Sequence, residues 1–353
     1  MSPAKSRPVT LRMMSEILGL HVSTVSRVLN TPGSDVGRWA APETVERVQS
    51  LARELNYHPN PHAASLRTAR SSLVGVIVPR LQDFVLATIY EGIEEAAIEN
   101  GFSTFVTNSL DSPENQRIRT RMMLARRVDG MIFGDAQLGE TFLDELAEEE
   151  VPFVLVSRGD PRHVSVTGDD YLGGRLVGEH LLATGRRDIA ILGGPPYAVT
   201  FKNRTQGAID VFRDAGIAIP EHRVVYGDIN AAGGRSGTET ILAAGGVPDA
   251  IFATNDYSAL GALGVLRDRR LTVPTDLALV GFNDTPLAAE LSVSLTTVRS
   301  PMHEMGRRAF ELLLMRLRGK PVESEMLKPE LIVRDSTASS VRKHNIEPEE
   351  IEN

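Results

Sequence analysis

Ser23-Thr24-Val25-Ser26-Arg27-Val28-Leu29-Asn30 is the stretch on which the reading turns. At helical spacing it puts Val25, Val28 and Leu29 on one face and leaves Thr24, Ser26 and Arg27 off it. A short hydroxyl-rich helix with one arginine, set behind a glycine turn and a first amphipathic helix, has the layout of a recognition helix that enters a DNA major groove. The hydroxyls suit phosphate oxygens, and the guanidinium suits the paired acceptors on guanine.

Upstream, Thr10 is placed to cap a first helix whose apolar stripe is Leu11, Met14, Ile17 and Leu18, and Gly19 ends it in a tight turn. Downstream, a polar loop from Thr31 to Ala40 holds Pro32, Gly33 and the single tryptophan, Trp39. Pro42-Glu43 then suits the first turn of a third helix with Val45, Val48, Leu51 and Leu55 as its buried stripe. Residues 1–57 are thus expected to form an all-α helix-turn-helix headpiece. Asn56-Tyr57-His58-Pro59-Asn60-Pro61 cannot continue a regular element. Asn60 and Pro61 read as the N-cap and first position of a very short helix, marginal in water and so ordered only against a surface. We take 58–70 as a hinge.

From Ser71 the pattern changes. Leu73-Val74-Gly75-Val76-Ile77-Val78-Pro79 reads as a buried parallel strand, followed by a helix with Ile89, Ile93, Ala96 and Ala97 inward. Strands are expected again around Phe105, at Asp129 to Phe133, Val151 to Ser157, Asp188 to Leu192, Ala250 to Ala253 and Leu277 to Gly281. Such alternation implies an α/β core of doubly wound parallel sheets in two lobes, spanning 71–340, with ligand at the carboxyl ends of the strands. The polar, acidic end, 341–353, is expected to be disordered.

Composition sets bounds on these readings. The chain has 353 residues, 42% hydrophobic and 24% charged, ordinary for two or three soluble domains. Having no cysteine, it has neither disulfides nor thiolate metal sites. The start MSPAKSRPVTLR lacks an apolar signal core, and no run approaches the roughly 20 apolar residues of a membrane span, so a cytoplasmic protein without membrane contact is expected. The net charge of −8 is uneven: residues 1–70 hold nine Lys/Arg against five Asp/Glu, a net of +4, and the remainder 29 against 41, a net of −12. A basic head on an acidic body fits a DNA-binding module attached to a separate domain.

Catalytic constellations are missing. Gly233-Gly234-Arg235-Ser236-Gly237 has neither the spacing nor the lysine of a phosphate loop. Pro59 and Pro61 forbid the helix on which His58 and His62 could form a zinc pair. Asp169-Asp170 looks like a carboxylate pair, but the family resemblance given below implies that this segment caps a helix and lines the cleft. We expect no enzyme, no cofactor and no metal.

The whole chain resembles LacI/GalR-type transcription regulators. Thr10-Leu11 through Asn30 is similar to the family headpiece, and Asn56-Tyr57-His58-Pro59-Asn60 with Ala63-Ala64-Ser65-Leu66-Arg67 to its hinge. In the core, Val128-Asp129-Gly130, Ala253-Thr254-Asn255-Asp256, Val280-Gly281-Phe282-Asn283-Asp284 and Leu295-Thr296-Thr297-Val298-Arg299 repeat the family motifs in order. The resemblance implies a homodimeric, allosteric repressor of a pseudo-palindromic operator, with a periplasmic-binding-protein-like core that senses a small molecule. It implies DNA contacts from Thr10, Val22, Ser23, Thr24, Ser26, Arg27, Asn30, Tyr57, Asn60, Ala63 and Leu66, with Leu66 wedged into the minor groove at the operator centre. Effector contacts fall by position on Asp83, Phe84, Arg158, Thr200, Arg204, Ile229, Asn255, Asn283 and Ser300.

The chain departs from the family at several of these positions. His21 stands where a serine N-cap is usual, Met13-Met14 replaces Asp-Val, the loop from Asn30 to Pro42 is longer, and Ala64 replaces a hinge arginine. In the pocket, Asp83-Phe84-Val85-Leu86 replaces a segment with stacking aromatics, and Ile229, Ser157, Asn283 and Ser300 replace an aromatic, two aspartates and a glutamine. A sugar or nucleoside is the expected effector; a phosphorylated or acidic metabolite, or no ligand, is the alternative. A solute-binding receptor shares the core fold but would lack the headpiece.

Overall fold

The Thr10 hydroxyl accepts from the Met13 N–H at 3.2 Å and starts helix α1, Leu11–Leu18. The computed structural model describes residues 9–30, 40–57 and 70–338, which divide into two units, Met1–Ser71 and Ser72–Asn353. Gly19, at φ 64°, closes α1: its N–H reaches the Glu16 carbonyl and that of Leu20 reaches Ser15, the paired bonds of a left-handed C-cap. Helix α2, Val22–Asn30, follows, then α3, Pro42–Glu54, with proline in its first turn. Met14, Val25, Val28, Val48 and Ala52 form the centre of the first core, flanked by Leu11, Leu18, Leu29 and Tyr57.

The apolar stripe of α1 differs by one residue from expectation. Ile17 is 54% exposed, and Ser15 is buried in its place with its hydroxyl on the Arg12 carbonyl at 2.7 Å. At about 100° per residue, Leu11, Met14, Ser15 and Leu18 span one sector, and Ile17 falls outside it.

The second unit holds two parallel sheets. The first has strands β1 (Leu73–Val78), β2 (Ser103–Asn108), β3 (Gly130–Phe133), β4 (Phe153–Val156), β5 (Ser165–Gly168) and β11 (Glu325–Leu327), in the order β11-β5-β4-β3-β1-β2. Side chains alternate across it. Val74, Val76 and Val78 pack under helices α4 (Phe84–Glu99) and α12 (Met302–Leu317). Ile77, Met131 and Phe133 face α5 (Pro113–Ala125) and α6 (Phe142–Glu148). The second sheet runs β7-β6-β8-β9, with β6 (Ile189–Gly193), β7 (Val224–Tyr226), β8 (Ala250–Ala253) and β9 (Ala278–Val280). Helices α7 (Asp170–Ala183) and α8 (Val199–Asp214) cover one face, and α9 (Ala231–Gly245) and α10 (Asp256–Asp268) the other. A short α11, Pro286–Glu290, caps the lobe.

The chain passes between lobes three times: before α7, between β10 (Thr297–Arg299) and α12, and between β11 and β12 (Glu330–Ile332). β10 and β12 pair antiparallel, which ties two of these passages together. Helices α7 and α8 touch backbone to backbone: a Cβ on Gly174 would lie 2.1 Å from the Arg204 carbonyl oxygen, and one on Gly207 2.2 Å from that of Tyr171. This contact fixes the axial position of Arg204.

The expected core strands are present as a two-lobed, doubly wound α/β arrangement. β5, β7, β10, β11 and β12 are additions to the sequence reading. The hinge, the loop around Trp39 and the acidic tail fall outside the described residues.

Candidate functional site

In the first unit, α2 spends Val25 and Val28 on the core and presents the rest of its surface. Val22, Ser23 and Arg27 are exposed, and Thr24 and Ser26 are half-buried. Tyr57 packs on the core, and burial pushes its phenol above the ordinary range. Thr10 is exposed but its hydroxyl oxygen is committed to the α1 cap. Asn30 is the last residue of α2. Asn60, Ala63 and Leu66 lie outside the described residues. The start of α2 is capped by a residue the sequence reading did not include among contacts: His21 Nδ1 accepts from the Ser23 N–H at 3.3 Å and lies 2.7 Å from the Ser23 hydroxyl. The signal was its place as the residue before the helix, where a serine was expected.

In the second unit, a cleft opens between the lobes at the carboxyl ends of the parallel strands, where such sheets bind ligands. Two adjoining chambers, of about 40 and 700 Å³, share Asp83, Leu86, Arg158, Ile229 and Tyr257. Asp83 follows β1 and caps α4, accepting from the Val85 N–H at 3.0 Å. Arg158 follows β4 through Ser157, held at φ 67° with the Arg158 N–H on the Val156 carbonyl at 2.7 Å. That tight positive-φ turn aims the guanidinium, which bonds Asp111 Oδ1 at 2.6 Å. Asn255 follows β8 and caps α10 by accepting from the Ser258 N–H at 2.8 Å. Asn283 follows β9 at φ 106°, left-handed backbone that its N–H bond to the Val298 carbonyl at 2.7 Å holds in place.

Arg204 is the most constrained group. Its Nε donates to Asp170 Oδ1 and its Nη1 to the Thr254 carbonyl, each at 2.8 Å, and it lies 3.8 Å from the Phe282 ring centroid. Its Nη2 makes no hydrogen bond among the described residues, and Arg204 lines the inner chamber. Both guanidiniums are already neutralised, Arg158 by Asp111 and Arg204 by Asp170. Asp83 has no ion-pair partner among the described residues; burial pushes its carboxyl upward, against the pull of the Val85 N–H, Arg158 and Arg204. Behind the Asp111–Arg158 pair, buried Asp135 accepts from Gln116 at 2.8 Å, and burial pushes it up to about 6. Asp256 is likewise pushed by burial to about 6, and it binds the Thr285 N–H, the Thr285 hydroxyl and the Thr297 hydroxyl, fixing the turn that carries Asn283.

Asp83, Arg158, Thr200, Arg204, Ile229, Asn255 and Asn283 therefore converge on one chamber. Phe84 packs into the first lobe's core, and Ser300 stands behind Asn283, its hydroxyl 3.4 Å from Asn283 Oδ1. The sequence reading missed Phe201, Tyr257 and Tyr197, which supply aromatic faces from the second lobe. Tyr257, two residues beyond Asn255, was the legible one. The lobes meet through Leu138 N–H on the Tyr197 carbonyl at 2.9 Å and the Thr200 hydroxyl on the Ser157 carbonyl at 3.3 Å. Among the described residues no helix is long and apolar enough to cross a membrane.

A helix-turn-helix headpiece and a two-lobed core with a cleft at its strand ends define a DNA-binding regulator with a ligand-sensing domain. Residues 19–60 match the bacterial regulatory proteins of the lacI family, and residues 179–337 the periplasmic binding protein-like domain. The chain is 31% identical over 335 residues to the HTH-type transcriptional repressor PurR of Pasteurella multocida, covering 94% of this chain and 99% of that protein. It is 30% identical over 336 residues to the HTH-type transcriptional regulator DegA of Bacillus subtilis, covering 93% and 98%. A structure of the Lac repressor dimer bound to operator and the anti-inducer ONPF superposes with TM-score 0.85 at 30% identity, covering 94% and 100%. A complex of the regulator CelR with cellobiose gives 0.70 at 30%, with the same coverage. The chain belongs to the LacI family of bacterial transcriptional regulators.

Proposed function

We propose that the chain is a cytoplasmic repressor, without catalytic activity, that binds a pseudo-palindromic operator as a homodimer and is controlled by a neutral polyhydroxylated effector, a sugar or nucleoside, in the cleft. The charge arrangement of the inner chamber carries the effector class. Its two guanidiniums are balanced by aspartates, half-buried Asp111 and buried Asp170, whereas Asp83 has no ion-pair partner among the described residues. A hydroxyl can donate to Asp83 and accept from Arg204 Nη2 at once, while a phosphate would meet an unpaired carboxylate of its own sign. Tyr257 and Phe201 offer faces to a ring. Asp83, Arg158, Thr200, Arg204, Ile229, Asn255 and Asn283 bind it, and Ser300 holds Asn283.

Ligand held by both lobes favours their closed arrangement, and coupling to DNA runs through residues 58–70, which join the two units. The exposed face of α2, with Arg27, reads the major groove, and Leu66 opens the operator centre. Replacing Leu66 with Ala should lower operator affinity and leave core folding and dimerisation unchanged; unchanged operator binding removes that role. The effector class is tested by thermal-shift titration with neutral sugars, nucleosides and their phosphates, repeating DNA binding for each hit. Neutral hits that shift operator affinity support the reading, and exclusive binding of phosphorylated compounds overturns it.

A further inference from the structure

The two chambers of the cleft differ in what they can hold. A single water needs about 10–15 Å³ of such space, so the inner chamber, at about 40 Å³, takes only the hydroxyl-bearing edge of a sugar ring. The outer chamber, at about 700 Å³, falls within the roughly 300–1,000 Å³ of small-molecule sites and has room for more than the rest of one ring. Its polar groups are also uncommitted. Arg80 and Gln82 line it from the first lobe, and Tyr197, Asp228 and Asn230 from the second. Asn230 spends only its Oδ1, on the Gly233 N–H at 2.8 Å, and the side chains of Arg80, Gln82 and Asp228 make no hydrogen bond or ion pair among the described residues. Tyr197 is fixed as a platform: its carbonyl accepts from the Leu138 N–H at 2.9 Å, and the Arg158 guanidinium lies 5.9 Å from its ring centroid. Burial pushes its phenol up; of the surrounding charges, Asp111 and Asp228 add to this, and Arg158 and Arg80 oppose it.

We propose that the outer chamber is a second carbohydrate subsite and that the effector is a glycoside of two sugar units, the first with its edge in the inner chamber and the second stacked on Tyr197. This rests on the reading of a neutral, polyhydroxylated effector. Sugar hydroxyls both donate and accept, so one unit can pair with the Gln82 amide, the Asp228 carboxylate and the Asn230 Nδ2 together. The C–H face of its ring suits the apolar face of a tyrosine. Arg80 and Asp228 carry opposite charges on opposite lobes, so the chamber favours a second unit without net charge. A single ring would leave most of the outer chamber to water, whereas two units engage both lobes in both chambers.

The test titrates the full-length protein by calorimetry with glucose, galactose and xylose, with the α- and β-linked disaccharides containing each, with nucleosides, and with the phosphates of these sugars. The tightest disaccharide should bind about tenfold or more tightly than either of its monosaccharides, the gain from about two further contacts. Gln82→Ala and Asp228→Ala remove exposed side chains with no bonds to lose in the folded core, so both should unfold like the wild type. Each should weaken the disaccharide about threefold or more, the range for one hydrogen bond, and leave monosaccharide affinity unchanged. Tyr197→Ala should weaken the disaccharide further, and Tyr197→Phe, which keeps the ring, should bind it nearly as the wild type does. A monosaccharide or nucleoside that binds as tightly as the tightest disaccharide overturns the proposal and leaves the neutral effector standing. So do Q82A, D228A and Y197A proteins that keep full disaccharide affinity or weaken both sugars equally. Binding of the phosphates alone, or of no compound in the panel, overturns the neutral-effector reading itself.

Discussion

Arg204 offers the sharpest separation of scaffold from ligand chemistry. It is 5% exposed and its partner Asp170 is 7% exposed, joined at 2.8 Å. Replacing Arg204 with Ala leaves a buried carboxylate without its counter-charge, which costs about 3–5 kcal/mol. The Thr254 carbonyl also loses its 2.8 Å donor, adding about 1 kcal/mol. At roughly 2–4 °C per kcal/mol for a domain of this size class, the core should melt roughly 8–24 °C lower. The double variant Arg204→Met with Asp170→Asn removes both charges and should recover more than half of that loss, since two matched charges removed together leave no charge unpaired and only the Thr254 carbonyl without its donor. Effector affinity should not recover, because Nη2 is gone. Urea unfolding of the three proteins with parallel ligand titration reads both effects. A single variant within 1 kcal/mol of the wild type, or a double variant as unstable as the single, refutes the reasoning.

Other consequences follow from burial and contact. Asp135 is raised by burial to about 6, so the folded core holds its proton more tightly than the unfolded chain, and this contribution is full below the unfolded value near 3.8 and lost as pH rises through 6. Relative to Asp135→Asn, the wild type should therefore lose on the order of 3 kcal/mol between pH 4 and 7; a pH-independent difference in denaturation midpoints contradicts this. Replacing Gly174 with Ala drives a methyl into the Arg204 carbonyl oxygen and should cost about 1–3 kcal/mol while weakening effector binding, measured by unfolding and calorimetry. Arg27→Ala should relax discrimination at one base position per half-site by roughly 1–3 kcal/mol, read by binding to duplexes mutated one position at a time.

How much of this was legible in the sequence depended on burial. Val25, Val28 and Leu29 announced α2 because a small headpiece must bury one face of every helix, and β1, β3 and β8 announced themselves as apolar runs because both faces of those strands are covered. The strands that escaped notice are short or peripheral: Glu325-Met326-Leu327 at a sheet edge leaves Met326 65% exposed, and Ser165–Gly168 is half polar. No periodic signal survives in such segments. Ile17 was misplaced because spacing allows a stripe wider than the partner helices cover. The cleft residues, spread from Asp83 to Asn283, could be brought together only by resemblance, since local pattern carries no information on which strand ends face each other. Tyr257 and Phe201 were missed because aromatics were sought after β1 and at Ile229, whereas here α8 and α10 supply them. His21 could be noted as unusual from sequence, but its part in capping α2 needed the Ser23 N–H geometry.

The central claim is that one chain joins sequence-specific DNA binding to a sensor cleft. Its most direct test is the affinity of the full-length protein for a library-selected duplex, measured across salt concentrations with and without each neutral ligand that stabilises the core. The account predicts affinity that falls steeply with salt and a change of about tenfold or more on adding the ligand, a coupling of about 1.4 kcal/mol or more. Ligand binding without any salt-sensitive DNA affinity would contradict it and assign the core to solute capture instead.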